Sequence, residues 1–177
     1  DGMTLFLDVG STTAFVAEKL RDRINLTIAT NSIGVAQVLA NHNGNHVHLL
    51  GGEMQTDERG TFGFVTEHQC RRFAYDLAIF SADALSGRRG FLYLNAAEAN
   101  LAAVVAGCAD RIMVVLNHHK FDQTAPHCGF DAHKVDQIIV ELKCCSGRAR
   151  HKVTAFANHM PCINLLSCHT VRDPKAF

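Results

Sequence analysis

The stretch from Leu5 to Leu20 contains the residues whose types and spacing most clearly suggest binding chemistry. Three apolar residues lead into Asp8, and a turn with Gly10 and the three hydroxyls of Ser11–Thr13 follows. From Ala14 onwards the apolar side chains recur at helical spacing, which predicts a strand, a turn and a helix. The first N–H groups of a helix lack internal partners and carry partial positive charge, so this turn can bind a phosphate or a carboxylate. An ordinary, well-capped β-to-α turn would show the same pattern.

Small polar residues and glycines also follow the next two predicted strands. The strand over residues 25–31 ends at Asn31, and the strand over residues 46–50 is followed by Gly51 and Gly52. Strands and helices that alternate at this spacing form right-handed βαβ units and a parallel sheet. Ligands bind such sheets outside the carboxyl ends of the strands, where we expect these residues to converge.

Charged candidates follow later elements of the same pattern. A predicted strand over residues 75–81 leads to Asp83, and Lys120 follows a predicted strand over residues 111–116. Glu98 lies in the first turn of a predicted helix, where an acid also suits the helix dipole without any ligand.

The whole pattern predicts an α/β fold, with a mostly parallel sheet and helices on both faces, in a single domain over residues 1–177. The other predicted elements are a polar loop over 53–60, helices over 62–73, 95–109 and 148–159, a turn over 86–90, a loop over 123–132, and strands over 135–140 and 162–166.

Composition excludes several classes of protein. The hydrophobic content of 47% and the charged content of 19% are those of a globular domain. Basic and acidic residues are equal at 17 each, so the chain lacks the basic footprint of a nucleic-acid binder. No apolar run approaches the roughly 18 residues of a membrane span, and no signal peptide opens the chain. We therefore expect a cytoplasmic protein whose seven cysteines are reduced thiols.

Several strings of the sequence occur together in an order that is typical of one family. LFLDVGSTT is followed by LTIATNS and HLLGGE, and later by YDLAIFSADAL, AAEAN and HKF. This ordered set resembles the C-terminal effector domain of DeoR-type bacterial transcriptional regulators, over residues 1 to about 141. The resemblance implies a fold of the ribose-5-phosphate isomerase or CoA-transferase type and an effector that is a phosphorylated sugar or polyol phosphate. It also implies a homodimer or homotetramer that contacts DNA only through an N-terminal helix-turn-helix domain, which we expect to be absent from this chain.

The resemblance also implies roles for individual residues. The loop around Gly10 would hold the phosphate, and Asp83 would accept hydrogen bonds from sugar hydroxyls. The ammonium group of Lys120 could neutralise phosphate charge. The implied ligand-binding residues are Asp8, Gly10, Ser11, Thr12, Thr13, Asn31, Gly51, Gly52, Asp83, Glu98 and Lys120.

The sequence departs from the family pattern at two places. Asn117, His118 and His119 stand where the family usually has aspartate and two serines before the lysine. Ala102–Ala103 replace a basic residue that usually follows the helix-start glutamate. Both departures change which anionic ligand fits, because a neutral histidine does not replace a lost cation.

Histidines and a cysteine crowd together between residues 118 and 133, so a metal site is conceivable. None of the standard zinc spacings occurs there, and the sequence predicts no metal and no cofactor. The residues of this cluster are His118, His119, His127, Cys128 and His133.

The sequence leaves three functions open, and it favours the sensor. The alternative on the same fold is a sugar-phosphate isomerase or a deaminase, which needs a carboxylate base and a group that polarises the carbonyl. Asp83, Glu98 and Lys120 could supply these, but the acid-rich and glycine-rich catalytic strings of such isomerases are absent after Ile79. The third interpretation is an oligomerisation module that has lost its ligand.

Overall fold

The computed structural model describes residues 1–55, 60–121 and 123–141, together with the backbone of residues 163 and 164. The strands are β1 (Thr4–Leu7), β2 (Thr27–Thr30), β3 (His46–Leu49), β4 (Glu53–Gln55), β5 (Gly60–Phe62), β6 (Leu77–Phe80), β7 (Ala84–Ser86), β8 (Gly90–Tyr93), β9 (Ile112–Asn117), β10 (His127–Cys128), β11 (Gln137–Glu141) and β12 (Ile163–Asn164). The α-helices are α1 (Ser11–Leu20), α2 (Ile33–Leu39), α3 (Phe64–Cys70) and α4 (Ala96–Ala106), and short 3₁₀ helices cover His118–Lys120 and Ala132–Lys134.

A seven-stranded sheet forms the centre of the fold, in the order β12-β11-β9-β6-β1-β2-β3. Every pair of neighbouring strands in it is parallel. The carboxyl ends of β1, β2, β3, β6 and β9 therefore meet at one edge, which we call the carboxyl edge. The predicted α/β class with a mostly parallel sheet is confirmed.

Helices cover both faces of this sheet. Successive side chains of a strand therefore pack in two different apolar clusters, one on each face. Leu5 and Leu7 of β1 pack in one apolar cluster with Ala17 of α1 and with residues of α2. Phe6, which lies between them, packs in the other cluster with Leu101 of α4 and with residues of α3. This alternation is the two-residue period of a strand that is buried on both sides.

Two short antiparallel sheets replace segments for which the sequence predicts only loops or turns. β4 and β5 form a hairpin within the predicted polar loop over residues 53–60, and β5 also takes the start of the predicted helix over residues 62–73. β10, β8 and β7 form a three-stranded sheet around the predicted turn over residues 86–90 and part of the predicted loop over 123–132. These strands have two to four residues, which is too few for an alternating pattern to stand out.

The C-terminal predictions are covered only in part. The described backbone of residues 163 and 164 is a strand that pairs in parallel with β11, in agreement with the predicted strand over 162–166. The predicted helix over residues 148–159 lies outside the described residues. Among the helices that are described, none has the length and apolar character needed to cross a membrane.

The Cys70 thiol lies in the core beside the ring of Tyr75 and gives a prediction on alkaline stability. Burial raises the pKa of this thiol from about 9 to about 12. The unfolded thiol therefore ionises as the pH passes 9, whereas the folded thiol stays protonated until about pH 12. Its contribution to the free energy of unfolding is complete below pH 9 and is lost between pH 9 and 12, by up to ~1.4 kcal/mol per pH unit.

Chemical denaturation of the wild type and of Cys70→Ala between pH 8 and 11 measures this contribution. We expect the free energy of unfolding to fall less steeply with pH in Cys70→Ala than in the wild type. Cys128→Ala is the matched control, because the Cys128 side chain is exposed. Equal slopes for Cys70→Ala and the wild type would contradict the assignment.

Candidate functional site

Helix α1 begins at the carboxyl edge directly after β1, with a glycine as its N-cap. Gly10 has φ 147° and ψ 155°, which only glycine adopts readily, and no side chain caps the first turn. A Cβ atom at this position would lie 2.6 Å from Ser81 Oγ, so the loop also packs closely against the end of β6. The first N–H groups of α1 are therefore left without a side-chain acceptor from the N-cap, as an anion site requires.

The three hydroxyls of this loop have different roles. The Thr13 hydroxyl is buried and donates a hydrogen bond to Gly10 O at 2.9 Å, which stabilises the first turn itself. The Ser11 side chain is exposed and Thr12 is half-buried. Ser11 and Thr12 are thus accessible at the start of the helix, whereas Thr13 supports the loop.

Asp8 and Asn31 stabilise the backbone of this loop through hydrogen bonds. The Val9 N–H donates to Asp8 Oδ1 at 2.9 Å and to Asn31 Oδ1 at 3.1 Å. The Asn31 Nδ2 group donates to Thr61 O at 3.4 Å, which connects the loop to β5. Asn31 is fully buried and Asp8 is 7% exposed. Both residues lie at the predicted place, and their contacts hold the backbone of the loop in position.

Gly51 and Gly52 lie at the carboxyl edge after β3 and pack against α3. The Thr66 hydroxyl donates to Gly51 O at 2.7 Å, and the Gly51 N–H donates to Gln69 Oε1 at 2.7 Å. A Cβ atom at Gly52 would meet both the Thr66 hydroxyl and the backbone of Phe62. Gly52 therefore allows a close approach between the strand end and the helix, whereas a Cβ atom at Gly51 would make only ordinary contacts with α3.

Asp83 and Lys120 form an ion pair in a cleft at the same edge. Lys120 Nζ lies 3.2 Å from Asp83 Oδ1, and the Leu94 N–H donates to Asp83 Oδ2 at 2.8 Å. The cleft has a volume of about 460 Å³. Its walls are formed by Asp83, Leu94, His119, Lys120, Gln123 and Thr124.

Glu98 lies half-buried in the first turn of α4, which also starts at the carboxyl edge. The Asn95 side chain caps this helix by accepting from the Ala97 N–H at 2.8 Å. The Asn95 Nδ2 group also donates to Gln55 Oε1 at 2.5 Å, and this contact fixes the end of β4 beside α4.

Two residues of the site, Ser81 and Tyr93, are missed by sequence reasoning. The Tyr93 hydroxyl donates to Ser81 O at 3.0 Å, and the Ser81 hydroxyl donates to Val9 O at 3.4 Å. Burial raises the pKa of Tyr93 well above its usual value, and the carboxylates of Asp8, Glu98 and Asp83 raise it further. Ser81 could have been found as the residue that ends the predicted strand over 75–81. Tyr93 lies in a strand that the sequence does not predict.

The histidine-rich stretch after β9 contains two rings in contact, tilted by 40° to each other. The ring centroids of His118 and His119 are 3.8 Å apart, and His119 also forms part of the cleft wall. Within residues 1–55, 60–121 and 123–141, no group of three or more His, Cys, Asp or Glu side chains is arranged to hold a metal ion.

The open helix start and the charged cleft lie at the carboxyl edge of the parallel sheet, which is where domains of this class bind their ligands. The family model of the DeoR C-terminal sensor domain matches residues 1–142. The chain belongs to this family, as the ordered sequence strings predicted.

Transcriptional repressors are among its curated relatives. The chain is 29% identical to the putative aga operon transcriptional repressor of Escherichia coli O157:H7 over 140 residues, 79% of the chain and 52% of the relative. It is 31% identical to the transcriptional repressor AccR of Agrobacterium fabrum over 71% of the chain and 49% of the relative. The glycerol-3-phosphate regulon repressor of Escherichia coli K12 is 29% identical over 71% of the chain and 50% of the relative. The chain thus spans about half the length of the curated relatives it matches.

RipA shares the fold of this chain at low sequence identity, and other solved structures resemble it more distantly. The RipA structure from Yersinia pestis superimposes with a TM-score of 0.51 at 13% identity and covers 92% of this chain and 49% of that chain. Ribose 5-phosphate isomerase A from Methanocaldococcus jannaschii has a TM-score of 0.47 at 16% identity and covers 68% of this chain and 47% of that chain.

Proposed function

We propose that this domain binds a phosphorylated sugar or a polyol phosphate at the carboxyl edge and that binding controls DNA binding by a domain outside this chain. The start of α1 carries this proposal. Its N-cap is a glycine without a side chain, its first turn contains no acidic residue, and the hydroxyls of Ser11 and Thr12 are accessible there. This combination supplies N–H and O–H donors and partial positive charge, which together favour a phosphate.

The cleft beside Asp83 and Lys120 is the proposed place for the rest of the effector. The carboxylate of Asp83 accepts hydrogen bonds and the ammonium of Lys120 donates them, so the pair suits the vicinal hydroxyls of a sugar or polyol. The side chains of Lys120 and Asp83 are 38% and 27% exposed, and an incoming ligand can therefore reach both.

We favour a sensor over an isomerase or a deaminase. Such an enzyme needs a carboxylate that is placed to take a proton from the sugar. Asp83 accepts one hydrogen bond from Lys120 and one from the Leu94 N–H, and its oxygens keep lone pairs for sugar hydroxyls, so its contacts alone do not distinguish the two functions. The relatives' names agree with this choice, because they describe transcriptional repressors. We further propose, from the family resemblance, a cytoplasmic homo-oligomer that reaches DNA through another domain.

A thermal-shift panel tests the proposal. The probes are sn-glycerol 3-phosphate, ribose 5-phosphate and glucosamine 6-phosphate, each compared with its unphosphorylated counterpart and with inorganic phosphate. A phosphorylated probe at a hundredfold excess over its Kd adds about 2.7 kcal/mol to the stability of the folded state. For a domain of this size that raises Tm by about 5–10 °C.

Two outcomes would contradict the proposal. Equal stabilisation by the unphosphorylated counterparts would show that the phosphate group is not recognised. If no member of the panel stabilises the domain, the proposal that it binds this class of ligand is contradicted. NMR spectra of the same samples show whether a product forms, and product formation would favour the enzyme over the sensor.

A further inference from the structure

The segment Ser81–Asp83, which follows β6, connects the two parts of the proposed site. At one end, the Ser81 hydroxyl donates to Val9 O at 3.4 Å and lies directly beside Gly10. At the other end, Asp83 pairs with Lys120 in the cleft. The position of this segment therefore determines how the α1 loop and the cleft are placed relative to each other.

Three hydrogen bonds attach this segment to the end of β8. The Tyr93 hydroxyl donates to Ser81 O at 3.0 Å. The Asp83 N–H donates to Leu92 O at 3.0 Å, and the Leu94 N–H donates to Asp83 Oδ2 at 2.8 Å. The bond from Tyr93 is the one among these three that a side-chain substitution at β8 removes without changing the backbone.

Tyr93 is held tightly in this position. Its side chain is 2% exposed, and its ring lies where a Cβ atom at Gly129 would stand. A buried phenol whose hydroxyl has a single defined acceptor fixes that acceptor in place. The acceptor here is the carbonyl of the residue whose hydroxyl supports the α1 loop.

We infer that Tyr93 is a positioning residue for effector binding, which sets the α1 loop and the Asp83–Lys120 cleft at the separation that a phosphorylated sugar spans. This inference rests on the proposed function for its ligand, and on the contacts above for its mechanism. A ligand that contacts both parts of the site depends on Tyr93. A ligand that contacts only the α1 loop does not.

Tyr75 offers a matched control for the loss of one buried phenolic hydroxyl. Its side chain is 1% exposed, and its hydroxyl donates to Cys70 O at 3.2 Å. It precedes β6, whereas Ser81 follows β6, so Tyr75 lies at the opposite edge of the sheet. Tyr93→Phe and Tyr75→Phe each remove one phenolic hydrogen bond to a backbone carbonyl. Tyr75→Phe also removes the side-chain hydrogen bond with the Cys70 thiol, so we expect it to lower the Tm of the unliganded domain at least as much.

The first measurement needs no effector. Amide hydrogen exchange by NMR is compared at Asp83 and Leu94 in the wild type and both variants. We expect about tenfold faster exchange at these amides in Tyr93→Phe, because their hydrogen bonds join the Ser81–Asp83 segment to β8 and this segment loses its third attachment. We expect no change at them in Tyr75→Phe. Equal exchange in the two variants would overturn the positioning role.

The second measurement uses the phosphorylated panel and inorganic phosphate as probes. We expect Tyr93→Phe to bind the phosphorylated sugars about tenfold more weakly than Tyr75→Phe, and both variants to bind inorganic phosphate within twofold of the wild type. A uniform loss for all probes would indicate simple destabilisation and would overturn the inference. If no probe binds the wild type, the proposed function fails, and the exchange comparison alone decides whether Tyr93 positions this segment.

Discussion

Ser11→Asp is expected to abolish the stabilisation by phosphorylated probes while the domain remains folded. Ser11 is the first residue of α1 and its side chain is exposed, so a carboxylate fits there without a steric clash. A carboxylate in the first turn interacts favourably with the helix dipole and stabilises the free domain by about 0.3–1 kcal/mol. The same negative charge repels a bound phosphate at short range, which weakens binding by about a hundredfold or more.

The measurement is the Tm with and without each phosphorylated probe. Phe64→Asp is the matched control, because α3 also begins after a glycine N-cap without a side-chain cap, and Phe64 is 80% exposed at its first position. Both variants place a carboxylate at the start of an uncapped helix. We expect Phe64→Asp to retain the response to the probes. An undiminished response in Ser11→Asp would remove the α1 loop from the site.

The α1 loop is the part of the candidate site that could be predicted best from the sequence. The type and order of the residues from Leu5 onwards were enough to predict a strand, a turn and a helix, and the place of this turn at the carboxyl edge. The regular alternation of strands and helices fixed that place, because parallel strands bring their carboxyl ends together. The family resemblance added the expected ligand, which the pattern alone does not identify.

The roles of individual residues within the edge were harder to predict. Asn31 is small, polar and at a strand end, as ligand-binding residues are, yet its side chain is fully buried against Val9 and Thr61. The amide group accepts one hydrogen bond and donates another, and both partners lie far away in sequence, at 22 and 30 residues. Local sequence spacing does not reveal such distant partners, so a bracing residue and a ligand-binding residue have the same appearance in the sequence.

Tyr93 is the opposite case, because it belongs to the candidate site although no sequence pattern indicates it. The strands β7 and β8 are three and four residues long, and the segment between Asp83 and Asn95 therefore has no clear periodicity. The position of Tyr93 beside Ser81 depends on the antiparallel pairing of these short strands. That pairing is a tertiary property, because the hairpin is held in place by its contacts with the end of β6.

Gly52→Ala is expected to cause the largest loss of stability among single methyl additions at the carboxyl edge. Gly52 has φ 147°, where a residue with a side chain is strained by about 1–3 kcal/mol. The added Cβ would also meet the Thr66 hydroxyl and would lie 2.6 Å from Phe62 O. Because backbone cannot move away as easily as a flexible side chain, we expect a loss of about 3 kcal/mol or more in the free energy of unfolding.

Gly63→Ala separates the two causes of this loss. Gly63 also has a positive φ, of 93°, but no atom lies within 4 Å of the position where its Cβ would stand. Gly63→Ala therefore introduces backbone strain without a steric clash, and we expect a loss of about 1–2 kcal/mol in the free energy of unfolding. Chemical denaturation of both variants measures the difference. Equal losses would show that the close packing of Gly52 on α3 adds nothing to the cost of the substitution.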